Sequence, residues 1–435
     1  MAEFKAGVIG CGGRGKSHAR GYTTSEDVEI VACADPFDES RNAFIGEFDV
    51  RKGYDDYREM LEKEDLDFVS VCTWTGMHEE MVIAAANSGI KAIHSEKPMA
   101  PTWGAAKRLY QACVDNDVVI TFCHQRRFEG KFVKAKELAK DGTIGDLYRV
   151  EGACPNLFDW GTHWFDMFFF YNDDEPAEWV MGQIDASGGR EVFGVPVERS
   201  GLSWIRYKNG LEGLLATGSA RVQGCQNRLV GTEGAIEIGG RDQSPLRVFR
   251  DGGWDELDLS DTVSGRGATT AAVLDLVDAV KTGREPELSG RKALQATDAL
   301  FGGDLSGLSA GEIADVFRRL NPDVLFLTPL LYFRSHQVDH VRCARQLGIK
   351  SVLGVGSWDH LTTKGLIHEV PGRVLVWNEL QKREAMKRVG ISQGVKSGLL
   401  LLWVGAILPL AGEVVWVLAG WIVATGLVVW FYDRR

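Results

Sequence analysis

From residue 4 to residue 122, short β-rich apolar runs alternate with polar or amphipathic stretches: FKAGVIG, VEIVACAD, LDFVSVCTW, IKAIHSE and VVITFC. Strand followed by helix, repeated, predicts a parallel sheet with helices on both faces. From about residue 144 to residue 250 the texture changes. Runs such as LYRVEGACP, LSWIRYKNG, LEGLLATGSARV, NRLVGT, AIEIGG and LRVFRDGG are spaced by NG, GTEG and DGG turns, which predicts an antiparallel sheet. The run THWFDMFFFYN predicts a buried helix among them. ATTAAVLDLVDAVKTG and SGRKALQATDALF predict two further helices, the first stopped by glycine and the second opened by a serine cap.

At FGGDLSGLSAGE, residues 301–312, glycine and small polar residues break a helix that had been continuing, which predicts a junction. Residues 322–389 restart an α/β rhythm: strand DVLFLTPLLYF, helix QVDHVRCARQLG, strands KSVLGVG and GRVLVWN, helix ELQKREAMKRVG. That is a third to a half of an ordinary domain by length. The chain closes on two apolar runs, residues 398–412 and 414–432, with Glu413 between them. The second approaches the roughly 20 apolar residues that cross a bilayer core. Lys396 on one side and Arg434 with Arg435 on the other would both be cytosolic in a two-pass hairpin. A buried helix of a soluble domain is the alternative. The expected order is therefore residues 1–122, 123–301, a partial α/β segment 302–392, and a membrane-type or hairpin tail 393–435.

A chain of 435 residues fits two or three domains. The formal charge of -11, with no stripe of Lys and Arg, speaks against non-specific nucleic-acid binding. Eight cysteines are scattered without a C-x-x-C pair, which points to reduced thiols and away from structural zinc, so no metal is expected. The first residues carry no basic region followed by an apolar core, so no secretory signal is read and the first part is expected to be cytoplasmic, with the tail 398–432 as its possible membrane tether.

Gly10, Gly12 and Gly15 form G-x-G-x-x-G between a strand and a helix, with Gly13 and Arg14 inside the loop. The first glycine permits a tight turn, the second lets a pyrophosphate approach the backbone, and the third allows helix and strand to pack closely. Asp35 ends the next strand some 20 residues on, where a carboxylate accepts hydrogen bonds from ribose hydroxyls and repels a 2′-phosphate. This Rossmann pattern favours NAD over NADP, with Arg41 as the residue that would reverse the preference. Next, Glu96, Lys97 and Pro98 follow an apolar strand at the end where open α/β sheets place their ligands. Asp159 and His163 are four residues apart, one helical turn if that segment is helical. A loop cap for Asp159 and a core histidine for His163 are the structural alternatives.

The glycine motif, the aspartate after the second strand, E-K-P and D-x-x-x-H together resemble the glucose-fructose oxidoreductase and inositol dehydrogenase family, written Gfo/Idh/MocA, over residues 3–301. The resemblance implies a Rossmann dinucleotide-binding domain followed by an α+β domain with an open-faced antiparallel sheet, through which copies of the chain would pair. It further implies hydride transfer between a nicotinamide and a carbinol carbon of a sugar, polyol or cyclitol. Lys97, Asp159 and His163 match the family's catalytic residues, and Lys97, His163 and Arg127 are the implied substrate contacts, a solvated basic patch being the alternative for Arg126 and Arg127. Thr73 and His78 lie in the loop expected at the nicotinamide, where Trp74 and Thr75 replace the usual Pro and Asn; Glu96 and Lys97 complete the implied cofactor contacts. Residues 321–389 are similar to part of the N-terminal half of a two-domain glycosyltransferase, with Asp359 and His360 at a strand end. The competing readings are a membrane-tethered, non-catalytic NAD-binding protein and a chain of joined fragments.

Overall fold

The five apolar runs of the first 122 residues form β1 Phe4–Ile9, β2 Val28–Ala34, β4 Phe68–Val71, β5 Ala92–Ser95 and β6 Val119–Phe122, and a short strand that no apolar run announced, β3 Lys52–Tyr54, joins them. They pair in parallel in the order β3-β2-β1-β4-β5-β6. The order reverses between β1 and β4, so a crevice opens at the carboxyl ends of these two strands. Five helices connect the strands: α1 Gly13–Tyr22, α2 Asp38–Phe48, α3 Tyr57–Lys63, α4 His78–Ala86 and α5 Trp103–Asp115. This is a computed structural model describing residues 2–301 except 186, 188–189, 222–223, 240–244 and 264. Of the remainder it describes only 311, 314, 318, 324–327, 337–354, 373–376, 395–397 and 427–433.

After α6 Gly130–Lys140, strand β7 Leu147–Cys154 leads into α7 Thr162–Tyr171. Strands β8 Ala177–Asp185, β9 Arg190–Val192, β10 Val195–Val197, β11 Ser200–Tyr207, β12 Glu212–Gly218, β13 Asn227–Gly231, β14 Ala235–Ile238, β15 Leu246–Arg250 and β16 Gly253–Glu256 follow. Seven of them join β7 in the order β16-β15-β14-β13-β7-β12-β11-β8, while β9 and β10 form a small hairpin. The sheet is not wholly antiparallel, as its turns suggested: β7 and β12 run parallel. The chain leaves β7 through a helix and returns as β8, and the two antiparallel pairings of β8 with β11 and of β11 with β12 leave β12 running parallel beside β7.

Every residue of α7 is buried, as its unbroken apolar run requires. Phe165, Phe168 and Phe169 pack with Val150, Leu215, Leu229 and Ile236 of the sheet, each burial contributing about 1.5–3 kcal/mol. Gly152 and Gly213 leave room for the Phe168 ring, since a Cβ at either would stand 3.0 Å from it. The two predicted helices near the end of this part are α8 Arg266–Thr282, stopped by Gly283 at φ 70°, and α9 Gly290–Phe301. Helix α8 returns to the first sheet, where Val273, Leu276 and Val277 complete a core with Phe4, Ala19 and Tyr22. Helix α9 shares itself between the cores, Ala293 packing in the first and Ala296 and Ala299 in the second.

Beyond residue 301, β17 Val324–Leu327, α10 Gln337–Gln346, β18 Lys350–Gly354 and β19 Arg373–Val376 fall inside the runs read as α/β, and β20 Val395–Ser397 extends their parallel sheet in the order β17-β18-β19-β20. Asp359, His360 and the helix expected at 379–390 lie outside the described residues. Residues 398–426 of the membrane-type tail also lie outside them. One part of that expectation is corrected: Leu427–Asp433, read as the end of a helix, is a strand, β21, beside β8 in the larger sheet. The run LVVWFY is rich in β-branched and aromatic residues, and the outer edge of β8 presents unpaired backbone groups to it. Among the described residues, no helix is long and apolar enough to cross a membrane.

Candidate functional site

The glycine loop joins β1 to α1 at the crevice. Gly10 has φ 92°, a backbone setting that disfavours a side chain, and a Cβ on Gly15 would stand 1.9 Å from the Gly10 carbonyl oxygen. Above Gly12 and Gly13, by contrast, an added Cβ would meet nothing within 4 Å. Gly12 caps α1 with no side-chain hydrogen bond, so the first backbone N–H groups of α1 have no side chain covering them. An open glycine surface over a helix N-terminus fits the pyrophosphate of a dinucleotide.

Asp35 lies at the end of β2, where its Oδ2 accepts the Cys11 N–H at 2.8 Å and its Oδ1 the Phe37 N–H at 2.9 Å. A carboxylate accepts about four hydrogen bonds, so capacity remains for ribose hydroxyls. Arg41 is committed elsewhere: its guanidinium donates to the Asp35 carbonyl at 2.6 Å and pairs with Asp38.

Glu96 is buried and turns back toward α1, accepting from Arg14 Nε at 2.5 Å and standing 3.0 Å from His18 Nε2. Burial opposes its charge, but His18 and Arg14 hold its carboxyl far below the usual range. Glu96 thus ties the turn after β5 to the glycine loop, a task distinct from the cofactor contact read from the motif. His78 is likewise corrected. It is fully buried, with Nδ1 2.9 Å from the Pro98 carbonyl and Nε2 3.1 Å from the Thr73 carbonyl. A ring so enclosed fastens the loop after β4 to the E-K-P turn and leaves no nitrogen for a nicotinamide. Thr73 itself borders the glycine turn, its Cγ2 3.3 Å from where a Gly10 Cβ would stand.

Lys97 Nζ donates to the Asp159 backbone oxygen at 3.0 Å and to the Asp159 carboxylate. Asp159 is not on an α-helix. It sits in a π-helical turn, Leu157–Gly161, capped by Asn156, whose Oδ1 accepts the Asp159 N–H at 2.7 Å and the Trp160 N–H at 3.3 Å. His163 follows in the first turn of α7 with its Nδ1 buried and unpaired. Burial, then Arg126, Lys97, His124 and Arg14, push its imidazole well below the ordinary value, so it is neutral at physiological pH and able to accept a proton. Lys97 and Asp159 are therefore joined directly, and Lys97 lies near enough to His163 for its charge to act on the imidazole.

Arg127 is not part of that group. Its side chain is 0% exposed, with Nε on Asp166 at 2.9 Å, Nη2 on Asp174 at 2.8 Å and Nη1 on Glu287 at 3.0 Å. No N–H is left for a substrate, and the residue locks α7 to the segment before α9. The sequence clue to this role is Asp166, a carboxylate inside an otherwise apolar helix and read as structural, which demands a buried cation. Asn156 was missed, although an Asn three residues before a helical aspartate is a capping pattern. His124, discussed below, gave no sequence signal. Finally, His18, His94 and Cys123 offer ligand atoms within 4.8 Å of one another, but the Arg14 guanidinium stands 3.2 Å from Cys123 Sγ and already supplies positive charge there.

A doubly wound sheet, an open glycine loop at its crevice and a Lys–Asp pair with a neutral histidine nearby define a dinucleotide-dependent oxidoreductase. A model of the oxidoreductase family with NAD-binding Rossmann fold matches residues 4–124. The chain is 28% identical over 252 residues to myo-inositol 2-dehydrogenase of Thermotoga maritima, covering 54% of this chain and 74% of that protein. It is 27% identical over 254 residues to scyllo-inositol 2-dehydrogenase (NAD(+)) of Bacillus subtilis, covering 54% and 74%. The solved structure of an oxidoreductase from Agrobacterium radiobacter in complex with NAD+, L-tartaric acid and magnesium shares the fold. It has TM-score 0.60 at 18% identity, covering 70% of this chain and 96% of that one. Residues 4–124 match the Gfo/Idh/MocA oxidoreductase family, and the likeness to the two inositol dehydrogenases extends over about half of the chain.

Proposed function

We propose that the chain is an NAD-dependent dehydrogenase that oxidises a secondary carbinol of a sugar, polyol or cyclitol, and that Lys97, Asp159 and His163 carry the chemistry. The dehydrogenases it resembles are named for inositols, which supports that substrate class. The acidic Asp35, together with an Arg41 already occupied by Asp38 and a backbone oxygen, favours NAD over NADP. NAD, when bound along the Gly10–Gly15 loop, supplies the hydride acceptor.

The rest falls to this chain's own side chains. An ammonium has three donors. Two of those on Lys97 are directed at Asp159, so the third is free for the reacting oxygen, in an orientation that Asn156 and the π-turn fix through Asp159. There it offsets the alkoxide charge that develops as hydride departs. His163, kept neutral, takes the hydroxyl proton. The observation that carries this reading is the half-buried Lys97–Asp159 pair beside an imidazole whose protonated form is disfavoured.

Two coarser features belong to the same reading. The outer face of the larger sheet carries Trp179, Met181, Leu202, Trp204 and Leu214 in register, an apolar surface suited to pairing of two copies. All eight cysteines are free thiols, in keeping with a reducing cytoplasmic compartment. The deciding experiment is NADH formation by the full chain with a panel of inositol isomers and aldoses. Turnover of at least one supports the proposal. A protein whose melting temperature rises with NAD but that turns over none of them is a non-catalytic NAD binder instead.

A further inference from the structure

His124 closes strand β6 with an unusual piece of backbone. Its N–H reaches back to the Phe122 carbonyl at 2.6 Å, closing a three-residue turn around Cys123 at the strand end. The turn carries a histidine into the interior, where it is 3% exposed. Its Nδ1 stands 3.4 Å from Asp166 Oδ1, and its Nε2 is buried without a partner. The ring lies edge-to-face against His163 with centroids 5.8 Å apart. The Nδ1 of His163 is buried and unpaired as well. Two adjacent imidazoles each with an orphaned buried nitrogen are costly unless those nitrogens serve each other, directly or through one water.

We propose that Asp166, His124 and His163 form a buried proton relay in which His124 is the positioning residue that receives the proton His163 takes from the substrate hydroxyl. This rests on the dehydrogenase reading above. In the resting state both histidines carry their proton on Nδ1: His124 directs it to Asp166, and His163 directs it toward His124 Nε2. As the hydroxyl proton arrives on His163 Nε2, the Nδ1 proton of His163 passes to the lone pair of His124 Nε2. One proton enters, His163 returns to neutral in its other tautomer, and His124 becomes an imidazolium against the Asp166 carboxylate. The hydride leaves separately for the nicotinamide, so charge and atoms balance.

The surroundings favour this direction of transfer. His163 faces Arg126 from the β6–α6 connection, Lys97 from the turn after β5, Arg14 from α1 and His124, all of which oppose a lasting positive charge on it. His124 faces His163 and, on its far side, Asp166, whose carboxylate stays ionised because Arg127 and His124 offset its burial. The Arg127 guanidinium stands behind Asp166, on the opposite oxygen from His124.

The test is long-range proton–nitrogen NMR of the histidine rings in the full chain with NAD bound, for the wild type and His124→Gln. The expected result is Nδ1–H tautomers on both His124 and His163 at neutral pH, with the His163 ring nitrogens shifting in the variant. Where a substrate has been found, His124→Gln lowers kcat about tenfold to a hundredfold, at the low end of proton-transfer contributions, with KM little changed and the pH–rate profile displaced. Added imidazole restores part of the rate. An Nε2–H tautomer on His124 in the wild type overturns the relay, and so does a variant whose His163 shifts and pH profile are unmoved. Should His124→Gln not fold, the wild-type tautomers alone decide. The NMR result does not depend on turnover, so an enzyme inactive on every polyol counts against the proposed function and leaves the relay's geometry to be judged separately.

Discussion

Lys97 directs two donors at Asp159 and, in the proposed mechanism, keeps one for the reacting oxygen, so its loss should be felt in the transition state more than in cofactor binding. Lys97→Ala is expected to lower kcat by about 10²–10⁴-fold while the NAD dissociation constant moves far less, as steady-state kinetics and NAD titration will measure. Arg127 answers to a different measurement. Removing it leaves the buried Asp166 and the half-buried Asp174 near one another without their shared cation, and Arg127→Met is expected to cost about 3–5 kcal/mol in urea unfolding. A stable Arg127→Met protein with only a raised KM would restore the substrate-contact reading. Lys97, Asp159 and His163 could be singled out as candidates because their types and spacing match the family's E-K-P and D-x-x-x-H motifs. The confinement of Arg127 and His78 was not, since a side chain's partners come from residues 39 to 160 positions away in the first case and from two loops in the second.

Helices α1 and α8 are separated by more than 240 residues and yet touch closely. A Cβ on Gly21 of α1 would lie 2.7 Å from Val273 Cβ of α8. Gly21→Ala is therefore expected to destabilise the fold by about 1–3 kcal/mol through overpacking, and Val273→Ala in the same chain should recover part of that loss. A thermal-unfolding double-mutant cycle with no coupling would show that the two helices do not bear on each other as described. At this scale the alternation of apolar runs was a dependable guide to strands β1, β2, β4, β5 and β6 and to α7, α8 and α9, because period and length follow from backbone geometry alone, whereas the three-residue β3 was too short to show. The parallel pairing of β7 with β12 was hidden, since turn residues report the β11–β12 hairpin and say nothing of which earlier strand its outer edge will meet. Likewise the run 427–433 reads equally as the end of an apolar helix or as an edge strand, and only a neighbouring strand edge decides between them.

For the molecule as a whole, the buried charges set a direction for pH dependence. His18, His78, His94 and His163 are held below the ordinary imidazole value, chiefly by burial, so the folded chain stays neutral where the unfolded chain gains protons. Their contribution to stability is complete above about pH 6.5 and is lost as the pH falls. Asp166, despite its burial, is pulled down to about 2 by Arg127 and His124, so a second loss follows between about pH 4 and 2. Urea midpoints of the full chain are expected to decline from pH 7.5 to 5.5 and again below pH 4; a midpoint that rises on acidification would contradict the buried, neutral state of these histidines. By itself the sequence determined the strand–helix rhythm and the glycine loop, since each depends on local periodicity or on residue types a tight turn requires, and it singled out Lys97, Asp159 and His163 as the candidates for the proposed chemistry. Only the tertiary structure decided which charged residues reach the crevice and which are consumed in holding it together. Desolvation and pairing act between side chains distant in sequence, and a buried charge takes its role from the partners that folding brings to it.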